Sequence, residues 1–410
     1  MTEERPAAVA AIAGREDRLI MDTYRRQPVE LVRGDGFLLY DRDGNEYLDF
    51  VAGLAVNAVG HGNPTVADAI ARQARTLVHV SDLYYTQPQV DLAQRLNDLG
   101  FPSRAFFANS GAEANEAAIK IARKWGQANR GGAYEVIATE NSFHGRTLAA
   151  IAATGQPKYQ APFAPMPEGF KHVPFNDLEA LRAAVGPKTA AILLEPIQGE
   201  SGVIPAGVDY LQGVRRLCDE ENLLLMLDEV QTGVGRTGTF YAFQAYGIVP
   251  DVVTLAKGLG GGVPIGVCLA GPRADVLGPG DHGSTFGGQP LACAAALATL
   301  DVIAEQGLVE NSRRTGEYLQ SQLAARLGAF GTARGRGLMQ ALVLNDPIAA
   351  EVTAAALQRG LMVNSIGTSV IRMVPPLIVG RAEVDRAIDV LEASLDELVS
   401  HVRTPGAPGT

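Results

Sequence analysis

Nearly continuous apolar runs alternate with helical segments from about residue 56 to residue 298. The strand candidates read RAFFANS, YEVIAT, TAAILLEP, LLLMLDEV, DVVTLA and IGVCLAG, and helical patterns such as GAEANEAAIKIARKW and VDYLQGVRRLCDEEN lie between them. Strands that are apolar on both faces must be covered on both faces. The pattern therefore predicts an α/β fold with a mostly parallel central sheet covered by helices.

The remaining segments predict a second, smaller α+β domain. Residues 1–55 hold a helical start and two short strand candidates, GFLLYD and EYLDF, joined by the turn RDGN. From residue 299 to residue 403, helical segments flank the strand candidates GLMQALVLN and VIRMVPPL. We expect a large domain over 56–298, a small domain built from 1–55 and 299–403, and a disordered tail over 404–410.

Composition excludes several classes of function. The 410 residues carry a net charge of −10 without a basic stripe, which argues against a nucleic-acid partner. No apolar run approaches the roughly 20 residues of a membrane span, and the acidic start is no convincing signal peptide. Three cysteines without metal spacing suit a reducing cytoplasm. The six histidines show no metal spacing either, so we predict a cytoplasmic protein without a metal or a membrane partner.

A lysine and an aspartate follow two of the apolar strands. Asp228 ends LLLMLD, and Lys257 follows VVTLA and precedes a glycine run. In an open parallel sheet ligands bind at the carboxyl ends of the strands, so both side chains are expected at one crevice. A lysine and a carboxylate there suit pyridoxal phosphate, whose aldehyde bonds to lysine and whose ring nitrogen a carboxylate keeps protonated. Taken singly, Asp228 as a helix cap and Lys257 as a solvated loop lysine remain open.

A candidate phosphate site lies in FFANSGAEANEAAIK. The chain passes there from a strand into a helix through Ser110, Gly111 and Ala112. Small residues let backbone N–H groups approach an anion, and the helix dipole favours negative charge. Ser110 as a plain helix N-cap is an equally good interpretation.

Six motifs in this order resemble the class III, or ornithine-type, aminotransferases, which are pyridoxal-phosphate enzymes of fold type I. They are NSGAEANEAAIKIAR, SFHGRT, LLEPIQGESGV, LDEVQTGVGRTG, TLAKGLGGGVPIG and HGSTFGGQPLAC. The resemblance runs from about Tyr24 to RMVPPL. It implies a fold type I transferase and a homodimer in which each chain completes the active site of the other.

The resemblance assigns residues to the cofactor, pyridoxal 5′-phosphate. Lys257 is implied to bond to the cofactor aldehyde and to carry the proton to and from the substrate carbon. Asp228 is implied to pair with the ring nitrogen, and Gln231 with the ring hydroxyl. Val230 and Phe143 are implied to pack on opposite faces of the ring.

The phosphate is implied to be bound by residues from both chains of the dimer. Gly111 and Ala112, next to Ser110, hold it through their backbone. Thr285 of HGSTFGG reaches the phosphate of the neighbouring subunit, and Ser284 lies beside the substrate.

The resemblance also assigns substrate residues. Arg146 of HGRT is implied to bind the carboxylate remote from the reacting amine, and Arg372 of VIRMVPPL the α-carboxylate of glutamate. Glu200 is implied to pair with Arg372 when the other substrate is bound, although a purely structural ion pair is the alternative. Tyr24 lines up with a tyrosine near the α-carbon end of the substrate, and Glu195 is expected behind the site.

The activity implied is transfer of the terminal amine of N2-acetylornithine to 2-oxoglutarate, giving N-acetylglutamate semialdehyde and glutamate, as in arginine biosynthesis. Ornithine, acetyl-lysine, succinylated amines and GABA stay open as donors. A scaffold that binds the cofactor without catalysis is a further alternative. A racemase or decarboxylase is disfavoured, because two carboxylate-binding arginines imply two alternating substrates.

Overall fold

The computed structural model describes residues 7–403, so residues 1–6 and the tail expected over 404–410 lie outside the described residues. The α-helices in this range are α1 (Ala7–Leu19), α2 (Ala52–Ala55), α3 (Pro64–Thr76), α4 (Gln87–Leu99), α5 (Gly111–Asn129), α6 (Leu148–Ala153), α7 (Pro157–Gln160), α8 (Leu178–Ala184), α9 (Val208–Glu220), α10 (Pro290–Glu305), α11 (Leu308–Leu327), α12 (Ala349–Gln358) and α13 (Arg381–Arg403). Short 3₁₀ helices occupy Ala161–Phe163, Ala242–Tyr246 and Lys257–Gly260.

The strands are β1 (Leu31–Asp35), β2 (Leu38–Asp41), β3 (Glu46–Asp49), β4 (Arg104–Ala108), β5 (Glu135–Thr139), β6 (Phe170–Val173), β7 (Thr189–Leu194), β8 (Ile197–Gln198), β9 (Ile204–Pro205), β10 (Leu224–Asp228), β11 (Val252–Leu255), β12 (Gly266–Ala270), β13 (Gly331–Arg336), β14 (Met339–Leu344), β15 (Leu361–Met362), β16 (Asn364–Ile366) and β17 (Val370–Met373). The predicted hairpin of GFLLYD and EYLDF is present as the antiparallel pair β2 and β3.

The central sheet has seven strands in the order β4-β12-β11-β10-β7-β5-β6. Only β12 runs antiparallel to its neighbours, so the prediction of a mostly parallel sheet is confirmed. Every residue of β7, β10, β11 and β12 is buried, because their alternate side chains enter two apolar clusters on opposite faces. One face is covered by α5, which packs on β11 and β12.

A second apolar core joins the two ends of the described chain. It combines Leu48 of β3 and the nearby Phe50 with residues of α11, α12 and α13 and of the antiparallel sheet β13-β14-β17-β16. The short strand β15 pairs in parallel with β3. The division into domains at residues 55 and 298 stays a prediction, and this distribution of cores agrees with it.

The chain between β3 and α3 has an unusual backbone. Residues 52–55, the whole of α2, all have positive φ, between 49° and 66°, so this element is a left-handed turn and not a regular α-helix. Asp49 holds the segment: its Oδ1 accepts the two backbone N–H groups at the start of the turn (2.8 Å each), and its Oδ2 lies 2.8 Å from Nε2 of His61. The segment leads to Val56, which lines a crevice at the ends of the central strands.

Within residues 7–403 no single helix is both long and apolar enough to cross a membrane; α10 and α11 meet these criteria only as a pair, bent by 63°. No group of three or more His, Cys, Asp or Glu side chains in the same range is arranged to hold a metal ion.

Candidate active site

A crevice of about 450 Å³ opens where β5, β7, β10 and β11 end. Its volume is in the range of small-molecule sites. Ten of the residues predicted for the site line this crevice: Ser110, Gly111, Ala112, Phe143, Arg146, Glu200, Asp228, Val230, Gln231 and Lys257. The crevice therefore brings together most of the side chains that the sequence singled out.

Lys257 follows β11 and begins a 3₁₀ helix with a φ of 41°, an uncommon conformation for a residue with a side chain. Burial lowers the pKa of its amine from the usual value, and Arg372 lowers it further, while Glu200 and Asp228 oppose the shift. Among the described residues, no hydrogen bond or ion pair engages its Nζ. An unbonded amine with a lowered pKa is suited to act as a nucleophile and as a base.

Asp228 is held at the end of β10 by three contacts. Its Oδ1 accepts the backbone N–H of Val230 (3.0 Å), and its Oδ2 accepts Nδ2 of Asn115 (2.7 Å) and lies 2.8 Å from Nδ1 of His144. Thr254 donates to Oδ1 of Asn115 (2.7 Å), which fixes the orientation of that amide. An ionised carboxylate only accepts, so Nδ1 of His144 donates. The structure thus presents a buried carboxylate with fixed orientation.

Asn115 and His144 were missed as site residues by sequence reasoning. His144 directly follows Phe143 in SFHGRT, which was a usable signal, whereas Asn115 lies inside a helical motif. The imidazole of His144 is fully buried, and within residues 7–403 its Nε2 has no hydrogen-bond partner. His144 therefore contributes to the site through its contact with Asp228.

The start of α5 forms one end of the crevice. Ser110 is the N-cap, because its side chain accepts the backbone N–H of Glu113 (3.2 Å). A Cβ on Gly111 would lie 2.7 Å from Cγ1 of Val230, so this close approach requires glycine. The N-cap interpretation of Ser110 is thus correct, and it coexists with a helix start whose backbone N–H groups suit an anion.

Phe143 and Arg146 form another wall of the crevice, and Arg146 also stacks on Tyr159. The guanidinium carbon of Arg146 lies 3.9 Å from the ring centroid of Tyr159 and 5.5 Å from that of Phe143. Arg146 is exposed to solvent, so its charge is available to a ligand. Tyr159, in QPKYQ, had no assigned role in the sequence, and it orients Arg146 by stacking.

Glu200 and Arg372 form an ion pair at the edge of the crevice. Nη1 of Arg372 donates to Oε1 of Glu200 (2.6 Å), and its Nε and Nη2 donate to Oδ1 of Asn364 (3.0 and 2.6 Å). Arg372 is 1% exposed, whereas 28% of the Glu200 side chain is exposed. Burial raises the pKa of Glu200, but Arg372 and Lys257 outweigh it, and the net shift is downward. Glu200 is therefore ionised and covers the arginine charge.

The residues present fit pyridoxal phosphate. Oε1 of Gln231 is buried and, within residues 7–403, lacks a hydrogen-bond partner, so it can accept a hydroxyl. The unbonded amine of Lys257 suits the aldehyde of the cofactor, and the fixed carboxylate of Asp228 suits its ring nitrogen. The start of α5 suits its phosphate. Val230 and Phe143 line the same crevice as surfaces on which a ring can pack.

Four predicted site residues do not line this crevice: Arg372 contacts its lining residue Glu200, and the other three lie apart from it. Thr285 is exposed, and Ser284 is linked to the crevice only through Asn109, whose Nδ2 donates to its Oγ (3.1 Å). Tyr24 is 72% exposed and lines a separate surface pocket with residues of α1. The single chain thus does not bring these three side chains to its own Lys257.

Comparison with known proteins identifies the family. The model for "Aminotransferase class-III" matches residues 20–395. The acetylornithine aminotransferase of Gloeobacter violaceus is 54% identical over 91% of this chain and 94% of its own length. That of Methanothermobacter thermautotrophicus is 50% identical over 93% and 98%. The structure of ornithine aminotransferase from Toxoplasma gondii ME49 has a TM-score of 0.92 at 32% identity, covering 96% of each chain.

Fold and crevice define a pyridoxal-phosphate-dependent transferase of fold type I. More particularly, the chain belongs to the class III aminotransferase family. This membership confirms the predicted class of enzyme, an aminotransferase, and the predicted cofactor, pyridoxal 5′-phosphate.

Proposed function

We propose that the protein transfers the terminal amine of N2-acetylornithine to 2-oxoglutarate, giving N-acetylglutamate semialdehyde and glutamate. The observation that carries the proposal is one crevice in which a free lysine amine lies near an arginine whose charge is covered by Glu200. Relatives that are 47–54% identical over at least 90% of this chain and named acetylornithine aminotransferase support this choice of donor.

Lys257 and Asp228 carry the chemical step in this proposal. When bound, pyridoxal phosphate supplies an aldehyde that captures the substrate amine and a ring that accepts an electron pair. Lys257, whose pKa is lowered by burial, removes a proton from one carbon and returns it to another as a general base and acid. Asp228 keeps the ring nitrogen protonated, and Asn115 and His144 keep its carboxylate in place.

Arg146 and Arg372 separate the two substrates. N2-acetylornithine and glutamate both carry a carboxylate remote from the reacting amine, and Arg146 binds it in both cases. Only glutamate carries a second carboxylate beside the reacting amine, and Arg372 binds that one after Glu200 has moved away. For N2-acetylornithine, Glu200 stays on Arg372, so an uncharged methylene stem does not meet an uncovered charge.

The phosphate end of the crevice is completed by a second copy of the chain. Thr285 and its neighbour Phe286, which is 56% exposed, lie on the surface of the single chain, as expected for residues that enter a partner's site. Leu83, Tyr84 and Tyr85 are further large apolar side chains that the single chain leaves exposed. The proposed assembly is a homodimer in which Thr285 of each subunit donates to the phosphate held by the other.

Mixing two defective variants tests the shared site. Thr285→Ala alone is expected to weaken cofactor binding about tenfold, the lower end for a hydrogen bond to a charged group. Lys257→Ala alone is expected to be inactive. In a heterodimer of the two, one site has an intact Lys257 and an intact Thr285 from the partner. At limiting cofactor, the mixture should therefore exceed the mean activity of the two homodimers once chain exchange is verified by mass spectrometry.

The reciprocal mixture is the control for that experiment. Wild type mixed with the double variant Lys257→Ala/Thr285→Ala should lose cofactor affinity at the remaining lysine, because Thr285 now comes from the defective chain. Activity of the first mixture at the mean of its homodimers, together with full cofactor affinity in the second, would show that Thr285 serves its own chain.

A donor panel tests the proposed reaction. The cofactor-loaded protein should lose its visible absorbance with glutamate and regain it with 2-oxoglutarate, because the two substrates convert the cofactor between its two forms. Initial rates with 2-oxoglutarate should rank N2-acetylornithine above ornithine, N2-acetyl-lysine, N2-succinylornithine and GABA. A higher kcat/KM for another donor would move the proposal to that donor. No spectral change with any amine would favour a scaffold that binds the cofactor without catalysis.

A further inference from the structure

Glu195 lies where two loops of the crevice meet. It follows β7, its residue is 6% exposed, and its side chain reaches the crevice wall. Its Oε2 accepts the backbone N–H of Phe143 (2.9 Å), and its Oε1 accepts the backbone N–H of Gly199 (3.2 Å). One carboxylate therefore bridges two segments that come from different strand ends.

Each of these loops carries one half of the proposed substrate site. Phe143 belongs to the loop after β5, which also carries Arg146. Gly199 immediately precedes Glu200, the residue that covers Arg372. A Cβ on Gly199 would lie 2.0 Å from Oε1 of Gln231, so this backbone is packed tightly against a second crevice residue. The position of the Glu195 carboxylate thus sets the separation of the aromatic wall and the ion pair.

The fold has another connection between the same two segments. Nε2 of Gln198 donates to Oγ1 of Thr139 and to the carbonyl oxygen of Glu140, both at 2.9 Å. Burying a carboxyl group is unfavourable, and burial raises the pKa of Glu195 to about 7, with Asp228 adding to the shift and His144 opposing it. Burying the carboxyl group of Glu195 therefore costs free energy, although the uncharged amide of Gln198 already connects the same two segments.

We propose that Glu195 is a positioning residue for both half-reactions, because its two oxygens place Phe143 and Glu200 relative to each other. The inference rests on the proposed transamination. An amide in place of the carboxylate keeps one acceptor and turns its other end into a donor, which opposes a backbone N–H. Glu195→Gln therefore releases one loop while preserving size and burial.

Glu229 offers a matched control. It is buried like Glu195, and its two oxygens also accept two backbone N–H groups, those of Ala242 (2.6 Å) and Phe243 (2.8 Å). Those donors belong to the 3₁₀ helix Ala242–Tyr246, away from the crevice. Glu229 itself lies between the cofactor residues Asp228 and Val230, but the backbone that its carboxylate holds carries no predicted substrate residue. Glu229→Gln thus makes the same chemical change at a comparable depth without loosening a loop that carries substrate residues.

The experiment measures single-turnover rates of the cofactor-loaded protein with glutamate and with N2-acetylornithine separately, together with the Tm. Glu195→Gln should slow both half-reactions about tenfold, as expected for the loss of one buried hydrogen bond at the site. Both variants should lower the Tm by a similar amount, but Glu229→Gln should leave both half-reaction rates within about threefold of wild type. The proposal would be overturned if the rates fell in proportion to the Tm in both variants, or if Glu195→Gln reacted with both substrates at the wild-type rates.

A double variant separates positioning of Glu200 from a general effect. Removing the ion pair with Glu200→Gln leaves nothing for Glu195 to position on that loop. In this background Glu195→Gln should slow both half-reactions by less than the tenfold expected in the wild-type background, because only the effect through Phe143 remains. A full tenfold slowing in the Glu200→Gln background would contradict the assignment. Failure of the proposed function itself would appear differently, as a wild-type protein that reacts with neither substrate.

Discussion

Lys257→Ala should abolish transamination while leaving the protein folded and able to bind the cofactor without a covalent bond. The variant loses both the amine that captures the cofactor aldehyde and the proton carrier. General acid–base catalysis alone contributes about 10²–10⁴-fold, so we expect turnover to fall by about 10⁴-fold or more. Single-turnover absorbance with glutamate measures the proton-transfer step directly.

The structural consequence of that change should be small. No hydrogen bond or ion pair within residues 7–403 engages Nζ of Lys257, and removing a desolvated amine leaves no buried partner unpaired. The Tm of the cofactor-free variant should therefore equal or exceed that of the cofactor-free wild type. Lys188→Ala is a matched control, because that lysine lies beside Tyr134, outside the crevice. Turnover of Lys257→Ala within tenfold of wild type would remove the proposed mechanism.

Arg372→Ala and Glu200→Ala should change the two half-reactions in opposite directions. Without Arg372, the α-carboxylate of glutamate loses a charged hydrogen-bonded contact of about 1.5–3 kcal/mol, so reaction with glutamate should slow about 10- to 150-fold. N2-acetylornithine carries no carboxylate at that end and should react at close to the normal rate. Without Glu200, Arg372 stays uncovered, which should favour glutamate and slow N2-acetylornithine.

Single-turnover measurements with each substrate alone check these expectations. Truncating one partner of a buried ion pair destabilises the fold. Glu200→Gln and Arg372→Lys therefore serve as milder variants, because each preserves much of the side-chain volume. Arg146→Ala is the comparison for a residue that serves both substrates, and both of its half-reactions should slow. Equal slowing of the two half-reactions in both Glu200→Ala and Arg372→Ala would identify the pair as structural.

The central sheet was largely predictable because its strands are buried on both faces and therefore read as apolar runs. One strand was missed: β6 (Phe170–Val173) reads FKHV, lies at the edge of the sheet and contains a lysine and a histidine, so no apolar run marks it. The antiparallel direction of β12 could not be predicted either. Apolarity reports that a strand is buried but carries no information about its direction.

The site was predictable where one short motif carries a residue and its role, as for Lys257 and Asp228. The contacts between residues of different motifs could not be predicted from the sequence. Asn364 binds Arg372 because β16 and β17 pair with these two residues opposite each other, and register is a property of the sheet rather than of either segment. In the same way, the two loops that Glu195 joins follow different strands, and only the order of strands in the sheet makes them neighbours.

The positive-φ turn at residues 52–55 bears on which sequences this fold accepts. Left-handed backbone is unfavourable for L-amino acids by roughly 1–2 kcal/mol per residue, and three of the four positions carry a side chain. The contacts of Asp49 and the packing around the turn must offset that strain. A chain with glycine, or with D-amino acids, at these positions would not be strained there. At residues 52–55 the chirality of L-amino acids therefore opposes the backbone conformation that the fold requires. This turn directly precedes Val56, which lines the crevice.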